Sequence, residues 1–193
     1  MRRVVATRKR GLSLFAALLV AAMGSGAAEE RAALSAEAQA LITQLDAHDP
    51  SSRQAAFLRL EALREPATSS VIRSHLSGKD AETRAYSARA LAAVDGVVAI
   101  PLLLDRLQHD RSPQVRVAAL LALEPIQDAP AIPVLITALR DRSPDVRMAA
   151  VDIVSRIQTP QAREAVLAMR RRERNRDVQR VLDDAVKRLA TSS

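Results

Sequence analysis

Few side chains in this chain could do covalent chemistry, and their spacing does not suggest catalysis. The three histidines, His48, His75 and His109, are neither followed by glutamate nor set four residues apart, so they define no metal-ligating helix face. His48 and His109 instead precede Asp49 and Asp110 at expected helix ends, where an imidazole serves helix carbonyls. There is no cysteine, which removes thiolate metal sites, a thiol nucleophile and any disulfide framework. No serine, histidine and acid fall at a spacing that suggests a triad, and the five glycines form no phosphate loop. The chain is therefore expected not to be an enzyme, with no catalytic, metal-binding or cofactor-binding residue assigned and no cofactor expected.

Arginine is the chemically capable residue that carries a pattern. Arg53, Arg84, Arg116 and Arg147 recur at intervals of 31, 32 and 31 residues, and Gln179 follows at 32. Such a row of guanidinium groups could hold an anion. At a fixed place beside a helix start, however, the expected role is pairing with Asp110, Asp141 or cap groups of adjoining units. Arg170, Arg171, Arg172, Arg174 and Arg176 form the one charge run outside the first residues. It suits the polar outer face of a terminal unit, or an anion-binding site for lipid headgroups or another polyanion. Nucleic acid is not an expected partner, because two Phe, one Tyr and no Trp leave little to stack on bases.

The elements that position these arginines can be read from the same frame. Four residues before each frame position stand Asp49, Asp80, Ser112, Ser143 and Asn175, all side chains able to cap a helix at about 1 kcal/mol each. Pro50, Pro113 and Pro144 follow at a position where a helix tolerates proline, and Glu82, Asp145 and Asp177 complement the helix dipole. Downstream, apolar residues return at offsets of two, three, six, seven and ten, as in Ala118, Ala119, Ala122, Leu123 and Ile126, which lie on one helical face. A preceding helix carries its own stripe, for example Ile100, Leu103, Leu104 and Leu107. Pro66, Asp95-Gly96, Asp128-Ala129-Pro130 and Thr159-Pro160 separate the units. The spacing predicts antiparallel helix pairs in repeats near 33–64, 66–95, 98–127, 130–158 and 160–190, each unable to bury its apolar face without its neighbours.

Asp110 to Leu123 reads D-x-S-P-x-V-R-x-A-A-x-x-A-L, and Asp141 to Val154 nearly matches it. This run resembles the HEAT repeat, in the short subtype found in phycobilisome lyases, and the likeness extends from about Ala33 to Leu189. The resemblance implies an all-α, right-handed α-solenoid of about five antiparallel helix pairs, with first helices convex, second helices concave, and the repeated Arg and Asp forming a ladder between units. It leaves activity open, since the family includes scaffolds, chromophore lyases, a metal-dependent hydroxylase and DNA glycosylases. The hydroxylase would require His-Glu pairs, which this chain does not have.

Residues 1–28 read as a signal peptide: Arg2, Arg3, Arg8, Lys9 and Arg10, then an apolar run from Leu12 to Met23, then small residues to Ala28. The run is shorter than the roughly 20 residues a bilayer span needs. The expectation is export, to the periplasm of a Gram-negative source or otherwise by secretion, with no stable membrane span after processing and residues 29–193 as the repeat domain. Removing the leader lowers the formal charge from +7 to +2, and residues 160–193 alone hold nine basic against five acidic side chains.

Second-helix positions at offsets one, five and eight should face away from the stack. There Arg89, Val117, Leu121, Glu124, Met148 and Asp152 form an apolar strip with a charged rim, the pattern of a protein contact. The expected function is an exported, non-enzymatic scaffold holding a protein or peptide partner on its concave face in the cell envelope. The alternative is a lyase-like or cofactor-cradling accessory enzyme using the same groove. A third reading is polyanion or membrane-surface binding through Arg170 to Arg176.

Overall fold

At five places along the chain a residue of cap type opens the second helix of a pair. The computed structural model describes residues 34–125 and 131–191, and these described residues form ten α-helices. They pair in chain order: α1 (Ala36–Gln44) with α2 (Pro50–Leu63), α3 (Ser69–His75) with α4 (Ala81–Asp95), and α5 (Ile100–His109) with α6 (Pro113–Leu123). The last two pairs are α7 (Ile132–Ala138) with α8 (Pro144–Val154) and α9 (Pro160–Arg170) with α10 (Arg176–Thr191). No strand occurs among the described residues. The expected leader, Ile126 and the Asp128-Ala129-Pro130 breaker lie outside them.

The caps divide into two kinds. Asp49 accepts the Ser52 amide at 2.8 Å, Asp80 accepts both the amide and hydroxyl of Thr83 at 2.8 and 2.7 Å, and Asn175 accepts the Val178 amide at 3.1 Å. Ser112 and Ser143 occupy the cap position with extended backbone, yet neither side chain accepts a first-turn amide. Their expected capping role is corrected by the carboxylates two residues upstream: Asp110 Oδ1 accepts the Ser112 amide at 2.9 Å, and Asp141 Oδ1 accepts the Ser143 amide at 2.7 Å. Asp80→Ala is thus expected to cost about 1 kcal/mol, whereas Ser112→Ala and Ser143→Ala should leave the urea midpoint nearly unmoved. Equal losses for all three would overturn this division. At the other end of α4, Gly96 takes a φ of 54°, the left-handed conformation in which glycine has no steric penalty.

The interior is aliphatic. Leu60, Ile72, Leu91, Leu103, Leu120, Leu123, Leu135, Ile153 and Leu182 are fully buried, with Phe57 as the one aromatic ring among the largest of them. The offsets read from the sequence hold: Ala118, Ala119, Ala122, Ala150, Ile153 and Val154 are all buried, while Ala149 is half-buried. Second helices pack closely on one another along the stack (α2 on α4, α4 on α6, α6 on α8, α8 on α10), whereas first helices touch one another sparsely. Buried alanines such as Ala88, Ala119 and Ala150 permit that close approach. A tight second-helix layer beside a splayed first-helix layer curves the stack with second helices on the inside. The run Ala81–His109 is long and apolar enough to cross a membrane. Gly96 breaks it into α4 and α5, and Leu91 and Leu103 from its two halves enter the common core.

The arginine frame forms a ladder along the edge where first helices turn into second helices. Arg84 donates from Nε and Nη2 to the two carboxylate oxygens of Asp110 at 2.8 and 2.9 Å, and Arg116 repeats this on Asp141 at 2.8 Å twice. Arg147 does the same with Glu173 at 2.8 and 3.1 Å. Each Nη1 also donates to two carbonyls of its own loop: Gly78 and Lys79, then Asp110 and Arg111, then Asp141 and Arg142. The first rung is looser, Arg53 lying 3.8 Å from Asp80, and in the last unit Gln179 donates only to the Glu173 carbonyl. Every side chain of the three tight rungs is thereby spent on holding units in register.

Candidate functional site

The inner face carries a groove across the second helices of the second and third pairs. One part, about 580 Å³, is lined by Asp80, Glu82, Ala85, Tyr86, Arg89, Gln114, Val117, Ala118 and Leu121. The other, about 570 Å³, runs on through Glu61, Arg64, Arg89, Ala92, Ala93, Leu121, Ala122 and Pro125. Arg89 and Leu121 belong to both, so they stand at the middle of one continuous trough. Each part falls within the several hundred cubic ångströms usual for a small-molecule site. Its floor is apolar, from Ala85, Val117, Ala118 and Leu121, and its rim offers a guanidinium, an amide, a phenol and carboxylates.

Helical periodicity sets this arrangement. Tyr86 and Arg89 are three apart on α4, and Val117 and Leu121 four apart on α6, so each pair shares a face. Arg89 meets Glu61 at 3.3 Å, a half-exposed pair that contributes little to stability and leaves the guanidinium available. The Tyr86 ring stacks on Phe57 with centroids 6.3 Å apart, and Phe57 meets His75 edge-on at 5.7 Å. Burial, with the neighbouring Glu82 carboxylate, pushes the Tyr86 phenol above its ordinary range. The hydroxyl therefore stays protonated and donates to Glu82 Oε1 at 3.3 Å.

The expected contact residues are only partly gathered. Arg89, Val117 and Leu121 line the trough, with Leu121 45% exposed and Val117 half-buried against the core. Met148 is likewise half-buried, so curvature sinks much of the strip and leaves Leu121 as its open member. Glu124 and Asp152 are both held by Arg156, and Asp152 also meets Arg188 at 3.3 Å. Tyr86, Glu82 and Gln114 were not among the contact residues expected from the sequence, where Glu82 stood only as a complement to the helix dipole. The signal was there for Tyr86: it stands at offset two, where the units on either side have Ala55, Ala118 and Ala149. The histidines take structural positions. His75 Nδ1 lies 2.9 Å from the Val71 carbonyl, and His109 Nδ1 lies 3.0 Å from Asp105. Among the described residues no group of three or more metal-ligating side chains converges.

At the far end, Arg170 pairs with Asp183 at 2.9 Å, and Arg171 lines a shallow cavity with Leu167 and Ala168 of α9. Arg172 and Arg174 share a shallow cavity with Arg140, and Arg176 is exposed.

The sequence profile described as HEAT repeats matches residues 38–124 and, overlapping, 100–187, which together span most of the chain. The chain belongs to the HEAT repeat family. No curated protein sequence matches this HEAT repeat protein. Among solved structures, one similar to it is the complex of CpcE and CpcF of phycocyanin lyase from Nostoc sp. PCC7120. The TM-score is 0.66 at 23% identity, covering 78% of this HEAT repeat chain and 98% of the other. That likeness shows a shared fold.

It also corrects two expectations. A frame of the same architecture occurs in a lyase complex, so the expectation that this HEAT repeat protein is not an enzyme falls. The exported, non-enzymatic scaffold falls with it as the principal reading, and the alternative use of the same groove takes its place. A protein partner remains in keeping with the HEAT repeats and with a neighbour that is itself half of a two-protein complex.

Proposed function

We propose that this protein is a lyase-like accessory that cradles a small conjugated organic cofactor in the trough centred on Arg89 and Leu121 and presents it to a protein partner. The trough itself carries the reading: an apolar floor with one guanidinium and one protonated phenol, on a frame like that of a phycocyanin lyase component. Arg89 would hold a carboxylate of the cofactor by charge-assisted hydrogen bonds. Leu121, Val117 and Ala118 would lie against its flat apolar body, and Tyr86 would donate to a carbonyl or ring nitrogen.

Because Tyr86 is the chain's one tyrosine and there is no tryptophan, its fluorescence reports this groove alone. Titration with biliverdin, a conjugated dicarboxylate, is expected to quench Tyr86 saturably. Leu121→Asp should weaken the binding by at least about tenfold, or 1.4 kcal/mol, while Lys187→Ala, on the last helix, should not change it. Absence of quenching, or full affinity in Leu121→Asp, would overturn the proposal. Export through residues 1–28 belongs to the same reading. N-terminal sequencing of protein made in a host with an export pathway should then find the mature chain beginning at Ala28 or Glu29.

A further inference from the structure

We propose that the ladder edge of the C-terminal half is a docking surface for an anionic lipid bilayer. Arg111, Arg140 and Arg142 come from the loops of the third and fourth pairs, Arg172 and Arg174 from that of the fifth, and Arg176 opens α10. All six are exposed, and among the described residues none has an acidic partner within ion-pair distance. The structure brings together residues that the sequence separates by 31 to 34 positions. Arg142 Nη2 donates to the Arg111 carbonyl at 3.1 Å, and Arg140, Arg172 and Arg174 border one cavity. The ladder explains the imbalance: Asp110, Asp141 and Glu173, the acids native to these loops, are consumed by Arg84, Arg116 and Arg147 from within. The exposed acids beside the patch are Asp145 and Asp177, and Asp177 already meets Arg180 at 3.2 Å.

What the edge lacks selects the partner. Nucleic-acid backbones are usually gripped by helix N-terminal amides as well as by arginine. At the start of α10 the amides of Arg174, Asn175 and Val178 are already bonded to Glu173 and Asn175. Tyr86 and Phe57 lie at the groove and in the core, so neither ring is offered to a base at the edge. A stable protein contact needs an apolar centre, and Arg111, Arg140, Arg142, Arg172, Arg174 and Arg176 dominate the exposed side chains of this edge. A broad array of positive charge without an apolar anchor fits a surface of anionic headgroups, where each arginine contributes about fivefold in partitioning.

Flotation with vesicles of phosphatidylglycerol and phosphatidylcholine tests this. The full chain should bind the mixed vesicles, not pure phosphatidylcholine, and release as salt is raised. Arg140→Glu/Arg172→Glu/Arg174→Glu should cut partitioning on the order of a hundredfold. The control Arg180→Glu/Lys187→Glu should cut it far less, with circular dichroism confirming that both fold. Loss of binding equal in the two variants, binding to neutral vesicles, or capture of duplex DNA or polyglutamate in preference to the vesicles would each overturn the proposal.

Discussion

Arg116→Ala is expected to destabilise the protein by about 3–5 kcal/mol, the cost of breaking a buried ion pair from one side. The Arg116 side chain is 3% exposed and its partner Asp141 13%. Removing the guanidinium leaves a carboxylate without its two strongest donors and frees the carbonyls of Asp110 and Arg111. The lesion also sits between the third and fourth units, so it weakens a nearest-neighbour contact on which a stack depends. Arg53→Ala is the comparison. Its rung spans 3.8 Å to an aspartate 52% exposed, and the change should cost within about 1 kcal/mol. Urea titration of the two variants decides the matter, and losses of similar size would contradict a buried ladder.

The same rung sets the response to acid. Burial would raise the Asp141 carboxyl, but hydrogen bonds from Arg116 and the Ser143 amide, with the charges of Arg116 and Arg142, hold it below the ordinary carboxylate range. Asp110 is held low in the same way by Arg84, the Ser112 amide and Arg106. A folded pKa below the unfolded value near about 3.9 means this stabilisation is fully present above that value and drains away as pH falls through the folded one. In Arg116→Ala the acid transition should therefore move to higher pH, read by ellipticity against pH.

Phe57→Ala should cost about 3–5 kcal/mol, the usual penalty for emptying the site of a buried ring. Phe57 is 1% exposed and is the largest fully buried side chain of the described residues. It wedges between His75 of α3 and Tyr86 of α4, so the cavity would open under the trough as well as in the core. A change in Tyr86 emission should accompany the lowered melting temperature. Phe57→Leu retains apolar volume and should recover much of the stability, but not the stacked environment of the tyrosine. A normal emission in both variants would mean that Tyr86 does not rest on this ring.

The fold was legible because its signals are local and repeated. Caps, prolines and aliphatic offsets recur on a period of 31 or 32, and the buried positions of α6 and α8 follow them almost residue by residue. The ladder was legible too, since Arg84, Arg116 and Arg147 reach the acids that their spacing put one unit ahead. What escaped were properties that exist only between units. A serine at a cap position says nothing of a carboxylate two residues upstream that is turned by the neighbouring arginine. Equally, surface offsets on α6 and α8 cannot reveal that curvature half-buries Val117 and Met148 while leaving Leu121 open. Tyr86 was visible as a departure from the alanine pattern, but a repeat is read from what recurs, and the groove is made by what does not. The enzyme question was lost differently, because no motif spacing distinguishes a solenoid that holds a partner from one that holds a cofactor.

The unequal joining of the two helix layers has a mechanical consequence. Second helices bonded closely side by side behave as a continuous leaf, while loosely joined first helices behave as separate slats on its back. Flexing such a body spreads or closes the slats without tearing the leaf, and the guanidinium rungs along one border act as a stiff spine about which that flexing turns. A molecule lying across α4 and α6 would thus feel a cradle whose width yields under small loads, while the order of the units along the spine stays constant.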